Sequence, residues 1–553
     1  MWINKSAGDK SSLETKSDNR NIFLHNPLKI AGFFKSFVVD PKRRLILLSA
    51  VLFILAYPPI PLGFLGYFCL VPIIAITSGS GFKNGFKSGY LFGVIQGAIL
   101  LYWVGVGIRS YAASANLESV FVEIFLWWIA PFGAPIALAL IQALFLGVCF
   151  GVYGWISKGG KGYIFAFPFV WISIEYIRTL SEFAFPWIQL AYTQSMYVPM
   201  IQTASWWGDL GVGFWLALIN VLLYLAWRYR GSVGLAVGFT AIVVLMLGAN
   251  LIYGSSEDVD FDGDKIDVAL VQGNITLPEK FSEGSLQLSL NRHLEMAEKL
   301  TRDSVDLIMF AETTIREYLM RRGSAWPALA NLARQKDAHI LVGTFDGENK
   351  GDRWCAYNSA VQIESDGRMK YVHHKIRLVP FSEKIPYNQY FPFINDFHFG
   401  QSDFCMGDSL PIFETGHGRY AVMICFEIGF SDLNRKAVAK GADFMVTITN
   451  DTWWGISAGP YQHAYMVPYR AVENRRWYAR CANSGFSFFC DPSGRIEDIG
   501  ELFEKMVIEG DVYPIEKTTF FTRHGVWMPK LILLFTFLLI LNRIIVKLVK
   551  RVR

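Results

Sequence analysis

The chain is 553 residues long, 52% hydrophobic and 15% aromatic, with only 18% charged residues; a soluble globular protein averages about 25% charged. Its formal charge of +5 is modest, and the basic residues flank apolar stretches instead of forming a groove-like stripe, which argues against a nucleic-acid partner. Seven cysteines with no C-x-x-C pair and no histidine cluster argue against a structural zinc site or other metal cofactor, and the odd count leaves at least one thiol unpaired unless it bridges to another molecule.

Residues 1–43 are polar and rich in Ser, Lys, Asp and Asn, which predicts a mobile extension. A membrane-spanning helix needs about 20 apolar residues. Eight stretches approach this: 44–59, 62–79, 88–108, 131–155, 162–178, 209–227, 232–253 and 528–547. They predict a multi-pass α-helical bundle, with a seven-helix membrane domain over 44–253 and a last transmembrane helix within 527–553. The Pro58-Pro59-Ile60-Pro61 turn makes a tight hairpin of the first two. No Ala-x-Ala-like site follows the first stretch, so it reads as an anchor and not a cleaved signal.

Lys and Arg near helix ends set the orientation. Lys42, Arg43 and Arg44, then Lys83 and Lys87, Lys158 and Lys161, Arg228 and Arg230, and finally Lys547, Lys550, Arg551 and Arg553 fall on alternate loops. With these inside, residue 254 emerges on the outer side, and 254–526 faces away from the cytoplasm into a periplasm. Glu175 and Arg178, spaced i,i+3 at an outer helix end, read as a local ion pair; Glu123 and Asp209 also fall near that boundary. The aromatic stretch from Phe185-Pro186-Trp187-Ile188-Gln189 to Trp206-Trp207 has two readings, an interfacial belt or a lipid-facing vestibule beneath the outer domain.

Residues 254–526 have ordinary soluble composition. Strands are expected at 266–272, 305–310, 340–344, 357–364, 368–373, 420–425 and 443–449, with helices over about 284–301 and 325–336. Strands alternating with helices, then paired strands, indicate a layered α/β sandwich. Three strand ends carry chemistry: Glu312 after Leu307–Phe310, Lys375 after Tyr371-Val372-His373-His374, and Cys425 after Tyr420–Ile424, with Glu427 two residues on. A carboxylate can take a thiol proton, and an ammonium with a backbone N–H such as that of Phe426 can stabilise a thiolate and then an oxyanion. Taken singly, a cysteine at a strand end is most often a small buried apolar side chain, and a Glu or Lys a solvated one.

These segments resemble the nitrilase superfamily, which has a Glu–Lys–Cys triad on an αββα sandwich, and within it the bacterial apolipoprotein N-acyltransferases. The resemblance rests on Ala269-Leu270-Val271-Gln272-Gly273-Asn274-Ile275, Phe310-Ala311-Glu312-Thr313, the run from His374 to Pro386, Ile424-Cys425-Phe426-Glu427, Asn450-Asp451-Thr452-Trp453-Trp454-Gly455, Gly459-Pro460-Tyr461-Gln462-His463, Arg470-Ala471 and, in the bundle, Phe185–Gln189. It implies Glu312 as general base, Lys375 as oxyanion and thiolate stabiliser and Cys425 as nucleophile. Glu383 resembles the second active-site carboxylate, and Glu427 the Glu of the usual Cys-Tyr-Glu. Three positions depart from the pattern: Ala311 for Pro, Phe426 for Tyr, and Phe281 for a functional Trp.

The resemblance further implies a cofactor-free, ping-pong acyl transfer in the bacterial inner membrane. A phospholipid is the donor, a thioester the intermediate, and the amine of a diacylglyceryl-cysteine apolipoprotein the acceptor. Trp453, Trp454 and Phe391-Pro392-Phe393 read either as mobile cover over the cleft or as core packing. A membrane-tethered nitrilase-type amidase is the alternative; it would use the same residues and pass the acyl group to water. Pairing among Cys355, Cys405, Cys481 and Cys490 is not fixed by spacing.

Overall fold

The computed structural model describes residues 40–114, 123–257, 259, 263–302, 304–321, 323–351, 353–388, 390 and 403–552. The polar extension, up to residue 39, and the Phe391-Pro392-Phe393 segment lie outside the described residues. Ile46–Arg553 forms one compact unit.

Helical structure occurs at all eight apolar stretches, but it is less regular than eight straight spans. Among the described residues four helices have the length and apolarity to cross a bilayer: Phe125–Ser157, Ala204–Arg228, Val233–Ser256 and Trp527–Lys550. Phe82–Leu100 and Trp103–Ala112, bent by 45° at their break, make a fifth span when taken together. The expected 62–79 helix is two pieces, Gly63–Tyr67 and Val71–Thr77. Asn220 of the neighbouring helix satisfies the broken backbone, accepting from the Leu70 N–H at 2.8 Å and donating to the Gly66 carbonyl at 2.9 Å, as irregular backbone inside a bundle requires. The expected 162–178 helix reduces to a turn, Lys161–Phe165, and the 12-residue helix Ala166–Ile177.

Gly85, Gly89, Gly93 and Gly97 recur every fourth residue along Phe82–Leu100 and face Ala130–Ser157. A Cβ on Gly89 would lie 2.5 Å from the Leu146 carbonyl oxygen, and one on Gly93 2.8 Å from the Ala143 Cα. This is the close backbone approach that small residues permit between membrane helices. Val233–Ser256 buries only Val243, Asn250 and Gly254; Leu245 and Ile252 are 70% and 72% exposed. An apolar surface of that extent belongs in lipid.

The α/β part holds two sheets. Strands β1 (Ile266–Gln272), β2 (Leu307–Phe310), β3 (Ile315–Tyr318), β4 (His339–Lys350), β5 (Arg353–Ile363) and β6 (Met369–His374) form the first. Strands β7 (Phe413–Glu414), β8 (Arg419–Ile424), β9 (Phe444–Thr449), β10 (Tyr478–Ala482), β11 (Phe488–Cys490) and β12 (Ile496–Glu497) form the second, and β13 (Met506–Val512) returns to the first beside β1. The centres are parallel, β1–β2–β4 and β8–β9–β10, and the flanks antiparallel. Central strands are buried along their whole length, hence their mostly apolar sequence.

Between the sheets Val268, Leu270, Leu307 and Met309 meet Val422, Ile424, Val446 and Ile448. Ser285–Glu298 and Trp326–Lys336 cover the outer face of the first sheet. Beyond the second sheet the core is continuous with the bundle: Ala421, Met445, Tyr469 and Val472 share one apolar cluster with Trp187, Tyr192 and Leu210.

Candidate active site

Glu312, Lys375 and Glu383 meet at the ends of the first sheet. The Lys375 Nζ donates to Glu312 Oε1 at 3.0 Å and to Glu383 Oε1 at 2.8 Å. Asn358 of β5 bridges the same two oxygens through its Nδ2, at 2.8 and 3.1 Å. The other oxygen of Glu312 accepts from the Asn450 backbone N–H at 3.0 Å, and that of Glu383 from Val379 at 2.8 Å. Every carboxylate oxygen thus has a donor, so all three residues tolerate burial. Asn358 escaped the sequence reading; a lone Asn on a strand carries no chemical signature until the partner carboxylates are placed.

Cys425 begins a short turn at the mouth of β8 with φ 53°. A left-handed non-glycine residue costs of order 1–3 kcal/mol, and two groups hold it there. Glu427, wholly buried, accepts from Ile424 N–H at 2.8 Å on the cysteine side and from Ile376 N–H at 2.7 Å on the lysine side, with His373 Nε2 at 3.1 Å. It fastens the Cys425 turn to the segment after Lys375. His463 Nε2 donates to the Cys425 carbonyl at 3.1 Å. Behind it, Asp451 sits 3.0 Å from His463 Nδ1, and Arg480 donates to Asp451 at 2.8 Å. Asp451 and His463 lie within motifs visible in the sequence, but their support of the cysteine emerges only from the fold.

Burial first, then the Glu312 charge, push the Cys425 thiol far above its ordinary range, and the Lys375 charge does not offset them. The thiol form is therefore favoured, so a nucleophilic role for this sulfur requires a base to take its proton, as the sequence-based role of Glu312 expects. For Lys375, burial alone would lower the pKa, but the Glu312 and Glu383 charges outweigh it and keep the ammonium firmly protonated. Glu427 is held below the usual carboxylate range: burial opposes this, and His373 with the amides of Ile424 and Ile376 prevails.

The site rests against the bundle. Trp103 and Trp187 both donate their indole N–H to Gln462 Oε1, at 3.0 and 2.8 Å. Phe185 and Trp187 stack beside Phe426 at centroid distances of 5.9 and 6.4 Å. Phe185 and Trp187 are therefore buried struts beside the Cys425 turn, neither belt nor vestibule, whereas Trp206 is 48% exposed. Trp454 packs into the same cluster, 4.9 Å from Trp103. Trp453, half-buried, forms a rim with Phe281 at 6.0 Å and Tyr111 of the bundle at 6.4 Å.

Glu175 and Arg178 do not pair directly among the described residues; Glu175 accepts from Leu190 N–H, and Arg178 donates to the Ile188 carbonyl, so both hold the loop that carries Trp187. Cys355 and Cys405 form a disulfide, and Cys69, Cys149, Cys425, Cys481 and Cys490 are free thiols.

Residues 267–513 match the carbon-nitrogen hydrolase family, and 49–222 match the apolipoprotein N-acyltransferase N-terminal domain. The apolipoprotein N-acyltransferase of Geobacter metallireducens is 30% identical over 496 residues, covering 88% of this chain and 92% of its own. The chain belongs to the apolipoprotein N-acyltransferase family. The members from Chlorobaculum tepidum and Pseudomonas aeruginosa are 30% and 27% identical, over 74% and 77% of this chain and 83% of each of theirs. The solved Saccharomyces cerevisiae Nit3, a member of the nitrilase superfamily, aligns with 47% of this chain and 93% of its own at 21% identity and a TM-score of 0.36. Against the apolipoprotein N-acyltransferase pattern, Phe281 and Phe426 keep aromatic packing without the polar tip of Trp or Tyr.

The short helix Leu277–Phe281 that carries Phe281 is pinned by a capping box between Thr276 and Glu279 and by Arg292, 2.7 Å from Glu279. The same helix carries Lys280, absent from the sequence-based candidates, whose buried Nζ donates to Thr313 Oγ1 at 2.5 Å directly after Glu312.

Proposed function

We propose that this chain moves an acyl group from a phospholipid to the α-amine of a diacylglyceryl-cysteine at a lipoprotein N-terminus, through a thioester on Cys425. The observation that carries the reading is the buried Glu312–Lys375–Glu383 array, which shares a site with a strained cysteine turn docked on an apolar bundle through Phe426, Phe185 and Trp187. In the first half-reaction Glu312 takes the thiol proton as Sγ attacks the ester carbonyl. Lys375 and the Phe426 N–H stabilise the oxyanion, and the protonated Glu312 returns the proton to the departing glycerol oxygen. In the second, the acceptor amine attacks the thioester and Cys425 leaves as a thiol. Glu383 and Asn358 hold Lys375 and Glu312 in register, and Glu427 with His463 holds the elbow.

The lipid donor explains the bundle: at ~0.8 kcal/mol per buried CH₂, acyl chains do not leave a bilayer for a water-exposed site. The alternation of basic loops and the Cys355–Cys405 disulfide support an inner-membrane protein with its catalytic part in the oxidising periplasm. Purified protein given labelled phospholipid and a synthetic diacylated lipopeptide is expected to yield lysophospholipid and N-acylated peptide in equal amounts, and Cys425→Ala neither. Free fatty acid as the only labelled product would favour the amidase-like reading, with water as acceptor.

A further inference from the structure

Transfer to an amine differs from transfer to water by one proton. An α-amino group has an ordinary pKa of about 7.7–8, so the acceptor arrives mostly as an ammonium. In the first half-reaction Glu312 carries the thiol proton to the glycerol oxygen and is regenerated. In the second it carries one N–H proton from the attacking nitrogen to the departing Sγ. The proton that the ammonium must shed before it has a lone pair for attack needs a separate acceptor.

We propose that the amine of Lys280 receives that proton; the inference rests on the acyl-transfer reading above. Lys280 lines one cavity with Glu312, Thr313, Asn483 and Ser289. It is 6% exposed, its Nζ touches the Thr313 hydroxyl, and among the described residues no carboxylate is in ion-pair contact with it. A buried ammonium without a counter-ion is strongly disfavoured, so a neutral amine, able to accept, is the natural state here. The titratable and charged groups that act on it are Arg316 from β3, Glu312 from the end of β2 and Cys425 from the turn after β8. Glu279 and Arg292 on the adjacent helices are occupied with each other. Burial first, then the Arg316 charge, bring the Lys280 pKa down to about 7, beside that of the donor ammonium.

The step balances. Acyl-S-Cys425, the acceptor R–NH₃⁺ and the Lys280 amine give the amide, the Cys425 thiol and the Lys280 ammonium. The C–N bond forms and the C–S bond breaks. Ser285 and Leu286, both half-buried, also line the cavity.

The test separates the half-reactions in the full chain, in detergent, from pH 6 to 9. Lysophospholipid release reports acylation, and decay of the preformed acyl-enzyme with the diacylated lipopeptide reports aminolysis, for wild type, Lys280→Met and Lys280→Arg. Neither replacement accepts a proton, so in both aminolysis at pH 7 falls ~10-fold or more beyond any change in acylation, in keeping with the 10²–10⁴ typical of proton-transfer catalysis. The deficit closes toward pH 9, where the acceptor arrives neutral. Equal losses in both half-reactions, a deficit that does not change with pH, or no deficit overturns the inference. So does loss of acyl-enzyme in both variants, which would make Lys280 structural. Should Lys280→Met alone fail to fold, Lys280→Arg decides. Wild-type acyl-enzyme that discharges only to water would sink the transfer reading itself; normal transfer with unaltered variants sinks the role of Lys280 alone.

Discussion

Lys280 and Glu427 are both buried with lowered pKa values, so both favour the folded state more as the pH rises, but in different pH windows and from opposite charges. The folded-state pKa of Lys280, about 7, lies below its unfolded value of about 10.4. Between these the unfolded chain binds more protons, so this group's contribution to stability rises with pH and its full penalty is felt below 7. Lys280→Met removes the penalty: its melting temperature relative to wild type is expected to be higher at pH 7 than at pH 9, and a gap that does not narrow across that range would contradict the burial argument. Glu427 is depressed too, in the acid range, so its contribution is present above about pH 5 and fades as the pH falls. Glu427→Ala leaves the Ile376 and Ile424 amides and His373 without their acceptor. Each buried orphan costs about 1–3 kcal/mol. The variant is expected to melt lower and to acylate Cys425 slowly even where it is folded; wild-type acylation kinetics would show that the clamp does not hold the elbow.

At the scale of elements, the glycine stripe of Phe82–Leu100 makes the most direct claim. Gly89→Leu must push the helix off Leu146 and Phe150; overpacking of this kind costs about 1–3 kcal/mol or more. The folded yield in detergent is expected to fall sharply, while Gly238→Leu, with open space around it, leaves the yield unchanged. Similar yields for the two variants would refute the close packing.

Much of this scale was legible in the sequence. The mostly apolar strands β1 and β9 and the helices Ser285–Glu298 and Trp326–Lys336 fall where the sequence pattern places them. The broken helices did not show, because hydropathy counts apolar residues and is blind to the side chain, Asn220, that satisfies a backbone gap from another helix. The site divides the same way. Glu312, Lys375, Glu383 and Cys425 stand in recognisable segments. Asn358, His463 and Lys280 gain meaning only from partners 38 or more residues away, or from burial: Asn358 from Glu312, His463 from Cys425.

Across the whole molecule, catalytic layer and bundle are joined by buried charge as well as by aromatic packing. Arg470 reaches Asp209 of the bundle at 2.7 Å and Glu473 at 3.0 Å, and Glu473 accepts from the Asp209 backbone N–H at 2.8 Å. Removing one partner of such a network costs about 3–5 kcal/mol, because the remaining charges lose their neutraliser. Arg470→Met is therefore expected to destabilise the protein strongly, and Arg470→Met with Asp209→Asn and Glu473→Gln to recover part of the loss; a triple variant as unstable as the single would contradict the charge argument. Rigid docking of this kind keeps Cys425 over the bundle, where a lipid ester can reach it.

The central claim is a thioester on one sulfur. Intact-protein mass spectrometry after incubation with a phospholipid of defined acyl chain tests it most directly. The account predicts a single acyl adduct that maps to Cys425 and disappears when the diacylated lipopeptide is added. An unmodified protein that still forms N-acylated lipopeptide, or an adduct on any other residue, would contradict it.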